Sequence, residues 1–163
     1  MSSAAEVVAR LVAAGQTVAV AESLTGGLVT AALTAVPGAS AVVAGGITAY
    51  QTPLKARLLD VPEQVLATEG AVSAATAVAM AAGVRARLGT DWGVATTGVA
   101  GPEPQEGKVV GRVHVAVAGP DLADRSPRVA QRELALPGDR GMVRAGAVDA
   151  ALLLLLAVLP GVA

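Results

Sequence analysis

The run Thr17-Val18-Ala19-Val20-Ala21 limits the possible folds more than any other stretch, because it is β-forming and apolar at four successive positions before breaking at Glu22-Ser23-Leu24-Thr25-Gly26-Gly27. A strand with one wet face alternates polar and apolar side chains, whereas one without alternation must be covered on both faces. The abrupt change to hydroxyls and paired glycines reads as strand, tight turn and helix. This is the local grammar of an α/β sheet with helices on each side.

The rest of the chain fits that frame. Ser3-x-x-Glu6 has the form of a capping box, and Val7, Val8, Leu11 and Val12 recur at helical spacing, predicting a helix over 4–14 that stops at Gly15. A helix is expected over 28–36, ended by Pro37-Gly38, and a strand over 41–50 with Gly45-Gly46 marking a bulge or a close neighbour. Thr52-Pro53 places a capping hydroxyl before a helix over 53–59. A short helix over 62–67 and an Ala-rich one over 74–88, capped by Ser73 and stopped by Gly89, follow. Strands are expected over 92–96, 113–118 and 129–136, the last two joined by a polar, proline-containing turn, and a final helix runs from about 139 to 158. The order α-β-α-β-α-α-α-β-β-β-α predicts a three-layer α/β/α sandwich on a mixed sheet, parallel early and antiparallel late.

No repeat, linker or low-complexity tail interrupts 1–163, so one domain is expected. Apolar residues make up 53%, yet there is no Phe, one Trp and one Tyr, so Ala, Val and Leu must pack closely around 19 glycines. Twelve basic and 13 acidic residues are spread without blocks, which argues against nucleic acid or an anionic membrane as partner. No cysteine means no disulfide and no thiolate nucleophile or metal ligand, and the single histidine, His114, between valines, reads as a sheet residue. No metal or cofactor is expected. The N-terminus lacks a secretory pattern, and the apolar stretch 150–159 is about half a membrane span, so a buried helix and a cytoplasmic location are expected.

Four stretches carry candidate chemistry. In Glu22-Ser23-Leu24-Thr25-Gly26-Gly27 a strand delivers Ser23 into a turn whose N–H groups, backed by a helix dipole, suit an oxyanion or phosphate; Ser23 or Thr25 serving as a plain helix cap fits equally well. Tyr50-Gln51-Thr52-Pro53-Leu54-Lys55 puts a lysine in the first turn of a helix, where the dipole disfavours its charged form, so that Lys55 can act as the base that a serine needs; a solvated lysine is the bland alternative. Thr96-Thr97-Gly98-Val99-Ala100-Gly101-Pro102 lies at another strand end, where α/β sheets bind ligands, and Thr97 either donates to substrate or closes a turn. Pro137-Gly138-Asp139-Arg140 begins a helix with Arg140 and Arg144 on one face, a phosphate clamp or a solvated charged face. The glycine spacing is not the dinucleotide fingerprint G-x-G-x-x-G, which counts against an oxidoreductase.

Taken together, AESLTGG, GGITAYQTPLKARLLDV, GAVS, TGVAGP and PGDR resemble, in this order, the C-terminal amidohydrolase domain of the CinA family over about 18–158. The resemblance implies hydrolysis of nicotinamide mononucleotide to nicotinate mononucleotide and ammonia, without a cofactor. It places the nucleophile on Ser23 and its base system on Lys55 and Tyr50, and matches Thr97 and Arg140 to positions associated with substrate; beside it, Thr25, Gly26, Gly27, Gly46, Gly98, Gly101 and Arg144 complete the expected substrate-binding set. A homodimer is implied, with the Gly45-Gly46 strand offering a close subunit contact. The chain departs from the family at Leu24, where many relatives have a smaller residue, and in 102–110, which lacks the usual glycine-rich stretch. An inactive nucleotide-binding relative with a regulatory role is the alternative implication.

Overall fold

The computed structural model describes residues 2–121 and 128–161. In chain order the elements are α1 (Ser3–Ala14), β1 (Val18–Glu22), α2 (Leu28–Thr34), a 3-10 turn (Ala39–Ala41), β2 (Val43–Thr48), α3 (Thr52–Leu59), α4 (Glu63–Glu69), α5 (Ala74–Leu88), β3 (Trp92–Gly98), β4 (Arg112–Gly119), β5 (Arg128–Ala135) and α6 (Arg140–Val158). The sheet order is β2-β1-β3-β4-β5, with β1 parallel to both β2 and β3, and β4 antiparallel to β3 and β5. The expected three-layer mixed sandwich is present. The proline-containing turn between β4 and β5 falls largely on 122–127, outside the described residues.

Side-chain size differs between the two faces of the sheet. Val18, Val20, Val94, Val113, Val115 and Val117 point one way, into a core shared with Val7 and Leu11 of α1, Leu33 of α2 and Leu155 of α6. Ala19, Ala21, Ala95, Ala116 and Ala118 point the other way, against α3 and α5. On that second face a Cβ at Gly83 would lie 1.8 Å from the Leu59 carbonyl oxygen, and one at Gly93 would lie 2.0 Å from that of Ala81. Small residues thus bring α5 against both the sheet and the end of α3. That contact fixes where α3 carries Lys55.

Helix ends depart from the expectations by a residue or two. Ser2, not Ser3, caps α1, because Ser2 takes the extended conformation that lets its side chain accept from the Ala5 N–H; the capping box is therefore not formed as expected. Thr52 is already helical, Gln51 is the residue before α3, and no side chain caps that helix. Asp139 caps α6 by accepting from the Met142 N–H. Both expectations for Gly45-Gly46 hold within the chain: the β1–β2 register shifts between Val18 and Ala19, and a Cβ at Gly46 would lie 2.1 Å from the Thr30 hydroxyl. Thr30 of the same chain thus packs directly on Gly46.

The final helix runs from Arg140 to Val158, as expected, and reaches well ahead of its apolar second half. α6 is long and apolar enough to cross a membrane by length and composition alone, its most apolar 18-residue window having a mean hydropathy of 1.9. Val143, Ala147, Ala151, Leu154 and Leu155 are nevertheless buried in the first core, and α6 packs on α1, α2, β3 and β4. One side of it is a core surface.

Candidate active site

The parallel strands β1 and β3 end side by side, Glu22 opposite Thr96, and the Ser23 N–H continues the ladder by donating to the Thr96 carbonyl at 3.0 Å. The chain then leaves the sheet, so the Ser23 side chain stands at the carboxyl edge. Lys55 reaches the same point from α3. Its Nζ donates to Ser23 Oγ at 2.9 Å, to the Ala49 carbonyl at 2.8 Å and to the Tyr50 carbonyl at 3.3 Å. Two carbonyls that can only accept fix the rotation of the amine, so its remaining position faces the serine.

Only 1% of Lys55 is exposed. Burial lowers its pKa from 10.5 to about 8, opposed in part by the negative charge of Glu106. Desolvation, rather than the helix dipole invoked from sequence, is thus the largest cause. A neutral amine is within reach near neutral pH.

Ser23 and Lys55 lie in a cavity of about 430 Å³ whose wall includes Leu24, Tyr50, Thr97, Gly98, Gly101 and Arg140. Arg140 Nη2 donates to the Tyr50 phenol oxygen at 2.9 Å and Nη1 to the Gly101 carbonyl at 2.7 Å, tying α6 to both the β2–α3 and β3–β4 connections. The Tyr50 phenol is therefore held by Arg140, while its backbone carbonyl is what meets Lys55. Thr97 lines the cavity, but its hydroxyl donates to the Ala71 carbonyl at 2.6 Å, so only its oxygen lone pair is left to offer a ligand.

Five candidate substrate residues stand apart from the cavity. Thr25 is fully buried and shares a hydrogen bond with the Thr96 hydroxyl at 2.8 Å. The Gly26 N–H donates to the Ser23 carbonyl at 3.1 Å and the Gly27 N–H to Glu22 Oε2 at 3.0 Å, so neither is available for an oxyanion. Gly46 is on the edge strand under Thr30. Arg144 donates from Nε to the Leu24 carbonyl at 2.9 Å and from Nη2 to the Thr25 carbonyl at 3.1 Å, which makes it a brace of the serine turn rather than half of a phosphate clamp.

Glu22 is the residue whose role sequence reasoning missed. Its buried carboxylate accepts from the N–H groups of Gly27, Val29 and Thr30 and from the Thr30 hydroxyl, at 2.8 to 3.0 Å. The start of α2 is thus occupied by an internal anion, and no signal short of the strand register could have turned Glu22 toward it. Glu106, in the connection before β4, was missed as well. Its Oε2 accepts from the Ala71 N–H at 2.9 Å, holding that connection against the cavity wall. Among the described residues no group of three or more His, Cys, Asp or Glu side chains could hold a metal ion, and His114 contacts Gln131 in the sheet.

The CinA C-terminal domain profile matches residues 1–159. The chain belongs to the CinA C-terminal domain family. Among curated CinA-like proteins, that of Frankia casuarinae is 55% identical over 151 residues, covering 93% of this chain and 34% of its own length. One from an Anaeromyxobacter species is 50% identical over 152 residues, covering 91% and 35%. The CinA-family chain therefore spans about a third of the length of these relatives. Its fold matches the crystal structure of the competence/damage inducible protein CihA from Agrobacterium tumefaciens with a TM-score of 0.85 at 36% identity, covering 96% of each chain. It matches that of competence damage-inducible protein A from Klebsiella pneumoniae with a TM-score of 0.87 at 32% identity, covering 98% of each.

Proposed function

We propose that this CinA-family chain is an amidohydrolase that converts nicotinamide mononucleotide to nicotinate mononucleotide and ammonia. The observation that carries the proposal is the 2.9 Å contact between a buried lysine amine and the Ser23 hydroxyl at the base of a cavity. A serine hydroxyl becomes a competent nucleophile only when a neighbour accepts its proton, and a desolvated lysine is one of the few side chains able to do so. At about 430 Å³ the cavity is within the usual range for small ligands, about 300–1,000 Å³. Arg140 spends two of the five N–H donors of a guanidinium on Tyr50 and Gly101, and the others can meet a phosphate at the opening.

In this mechanism neutral Lys55 takes the Ser23 proton as Oγ bonds to the carboxamide carbon, giving a tetrahedral oxyanion. Collapse breaks the C–N bond, and Lys55 returns the proton to the leaving nitrogen, which departs as ammonia. Water then gives its proton to Lys55 while its oxygen bonds to the acyl carbon. The C–Oγ bond breaks, the proton returns to Ser23, and nicotinate mononucleotide leaves.

A substrate panel tests the assignment. Ammonia release is expected from the mononucleotide, with kcat/KM falling on removal of the phosphate (the riboside) and again on removal of the ribose (free nicotinamide). A chain that releases no ammonia from any of the three is not this enzyme. Replacing Arg140 by alanine is expected to raise KM for the mononucleotide by about 10- to 100-fold with a smaller change in kcat, as loss of a charge-assisted contact does. Equal losses toward the mononucleotide and the riboside would remove the phosphate from Arg140.

A further inference from the structure

The connection 101–111 forms a strap along the cavity, and the way it is fastened matters to the chemistry if the hydrolase reading above holds. Its base is closed by the sheet, where the Gly111 N–H donates to the Val99 carbonyl at 2.8 Å and the Val99 N–H to the Arg112 carbonyl at 2.9 Å. Its tip is a tight reversal in which Gln105 and Lys108 exchange backbone hydrogen bonds at 3.1 and 2.8 Å across Glu106 and Gly107. Both central residues have positive φ, 52° and 71°, the pattern of a type I′ turn, which Asn-Gly or Asp-Gly forms most readily. Glutamate is a strained choice there, since residues other than glycine seldom take positive φ and Asn and Asp take it most easily. Its longer side chain has a use. Oε2 accepts from the Ala71 N–H at 2.9 Å, while Lys108 Nζ, 3.9 Å from the same carboxylate oxygen, donates to the Glu69 carbonyl at 2.8 Å. Gly70, at φ +82°, admits the carboxylate, because a Cβ there would lie 2.5 Å from Oε2.

Both sides of this junction are cavity wall. Glu103 and Gln105 line the cavity from the strap, Ala71 and Val72 line it from the α4–α5 connection, and the Ala71 carbonyl is already held by the Thr97 hydroxyl at 2.6 Å. Glu106 is not itself in the lining. We propose that Glu106 is a positioning residue of the active site, whose carboxylate clamps the strap to Ala71 so that two connections make one wall, and which stands as a fixed negative charge behind that wall. The charge has work when the Ser23 proton moves. Lys55 then becomes a cation in a nearly dry site, and a nearby fixed carboxylate stabilises that cation, as the charge of Glu106 already does for Lys55 in the resting chain. The other titratable groups in the wall, Tyr50 before α3, Glu103 on the strap and Arg140 on α6, are not among those that shift Lys55, and neither is Lys108.

The test compares wild type with Glu106→Gln, which keeps an oxygen for Ala71 but no charge, and Glu106→Asn, which suits the turn better but is too short to reach. Amide exchange of Ala71 and the pH titration of the Lys55 side chain are followed by NMR, beside KM and kcat for ammonia release from nicotinamide mononucleotide. Lys55 and Lys108 are the only lysines, so the signal missing from Lys55→Met is that of Lys55. In Glu106→Gln, Ala71 exchange and KM are expected within about fivefold of wild type, as a neutral acceptor replaces a charged one. The Lys55 midpoint is expected to fall below its wild-type value of about 8. Its kcat/KM is then expected below that of wild type in alkali and at least equal to it in acid, because a weaker base is more often neutral but takes a proton less readily. In Glu106→Asn the midpoint is expected to fall in the same way. Ala71 should exchange about 10- to 100-fold faster, as loss of a bond to a charged acceptor allows, and KM should rise about tenfold, because only the clamped fraction binds.

Wild-type Ala71 exchange in Glu106→Asn would overturn the proposal, as would a Lys55 midpoint unmoved in both variants. So would a loss of kcat/KM in Glu106→Gln that is equal at every pH, the mark of damaged packing alone. An inactive wild type would overturn the hydrolase reading only, since exchange and titration need no turnover and still decide the place of Glu106.

Discussion

Replacing Ser23 by alanine is expected to leave a folded protein whose release of ammonia from nicotinamide mononucleotide is lost by a factor on the order of 10⁴ or more, since removing the nucleophile of such a unit disables all of it. The structural cost is expected to be small. Ser23 is nearly buried, but its hydroxyl is one of three acceptors around Lys55, and the Ala49 and Tyr50 carbonyls remain. A stability loss of about 1 kcal/mol is anticipated, the net value of one hydrogen bond. Ammonia assays and thermal unfolding on the same preparation check both halves. Turnover within tenfold of wild type would remove Ser23 from the chemistry.

The second large effect belongs to Lys55→Met, which is expected to abolish turnover by a comparable factor while stabilising the fold in a pH-dependent way. The Lys55 pKa is about 8 in the folded chain against 10.5 for an ordinary lysine. Between those values the unfolded chain binds more protons than the folded one, so wild-type stability rises with pH across that window. Below pH 8 the folded state carries the full cost of a buried charge, about 3 kcal/mol at 1.36 kcal/mol per pH unit. The methionine variant does not carry that cost. Its advantage in Tm over wild type should therefore be greatest near pH 6 and shrink as pH rises toward 10.5. An advantage that does not vary with pH would show that Lys55 titrates normally. On the proposed mechanism the same group would set activity with the sign that a base requires: kcat/KM should rise about tenfold per pH unit and level off above about pH 8.

Those two residues were legible in the sequence because each sits where a chain signal is strong. Ser23 follows an apolar strand that breaks into glycines, and Lys55 follows a proline at a helix start. The sheet, its mixed direction and nearly all helix positions were legible for the same reason, since apolar periodicity and glycine or proline stops report local conformation. The partners of the polar groups were much harder to read. Arg140 and Arg144 look alike on one helical face, yet one opens onto the cavity and the other is folded under the turn; what separates them is the placement of α6 against the turn that follows β1, a tertiary fact with no local trace. The N–H groups of Gly26 and Gly27 offered the same difficulty. Glycines at a helix start resemble an anion cradle whether or not a side chain already fills it.

Glu22 does fill it, and this bears on how a nucleotide can lie in the molecule. With an internal carboxylate seated on the first turn of α2, the amides of that turn are not free to take a phosphate. A guanidinium with donors to spare lines the cavity at Arg140. On the function proposed above, entry would be polarised: the uncharged carboxamide would travel inward to Ser23 and the anionic tail trail toward Arg140, a direction of approach favoured by a side chain, Glu22, that never meets the ligand.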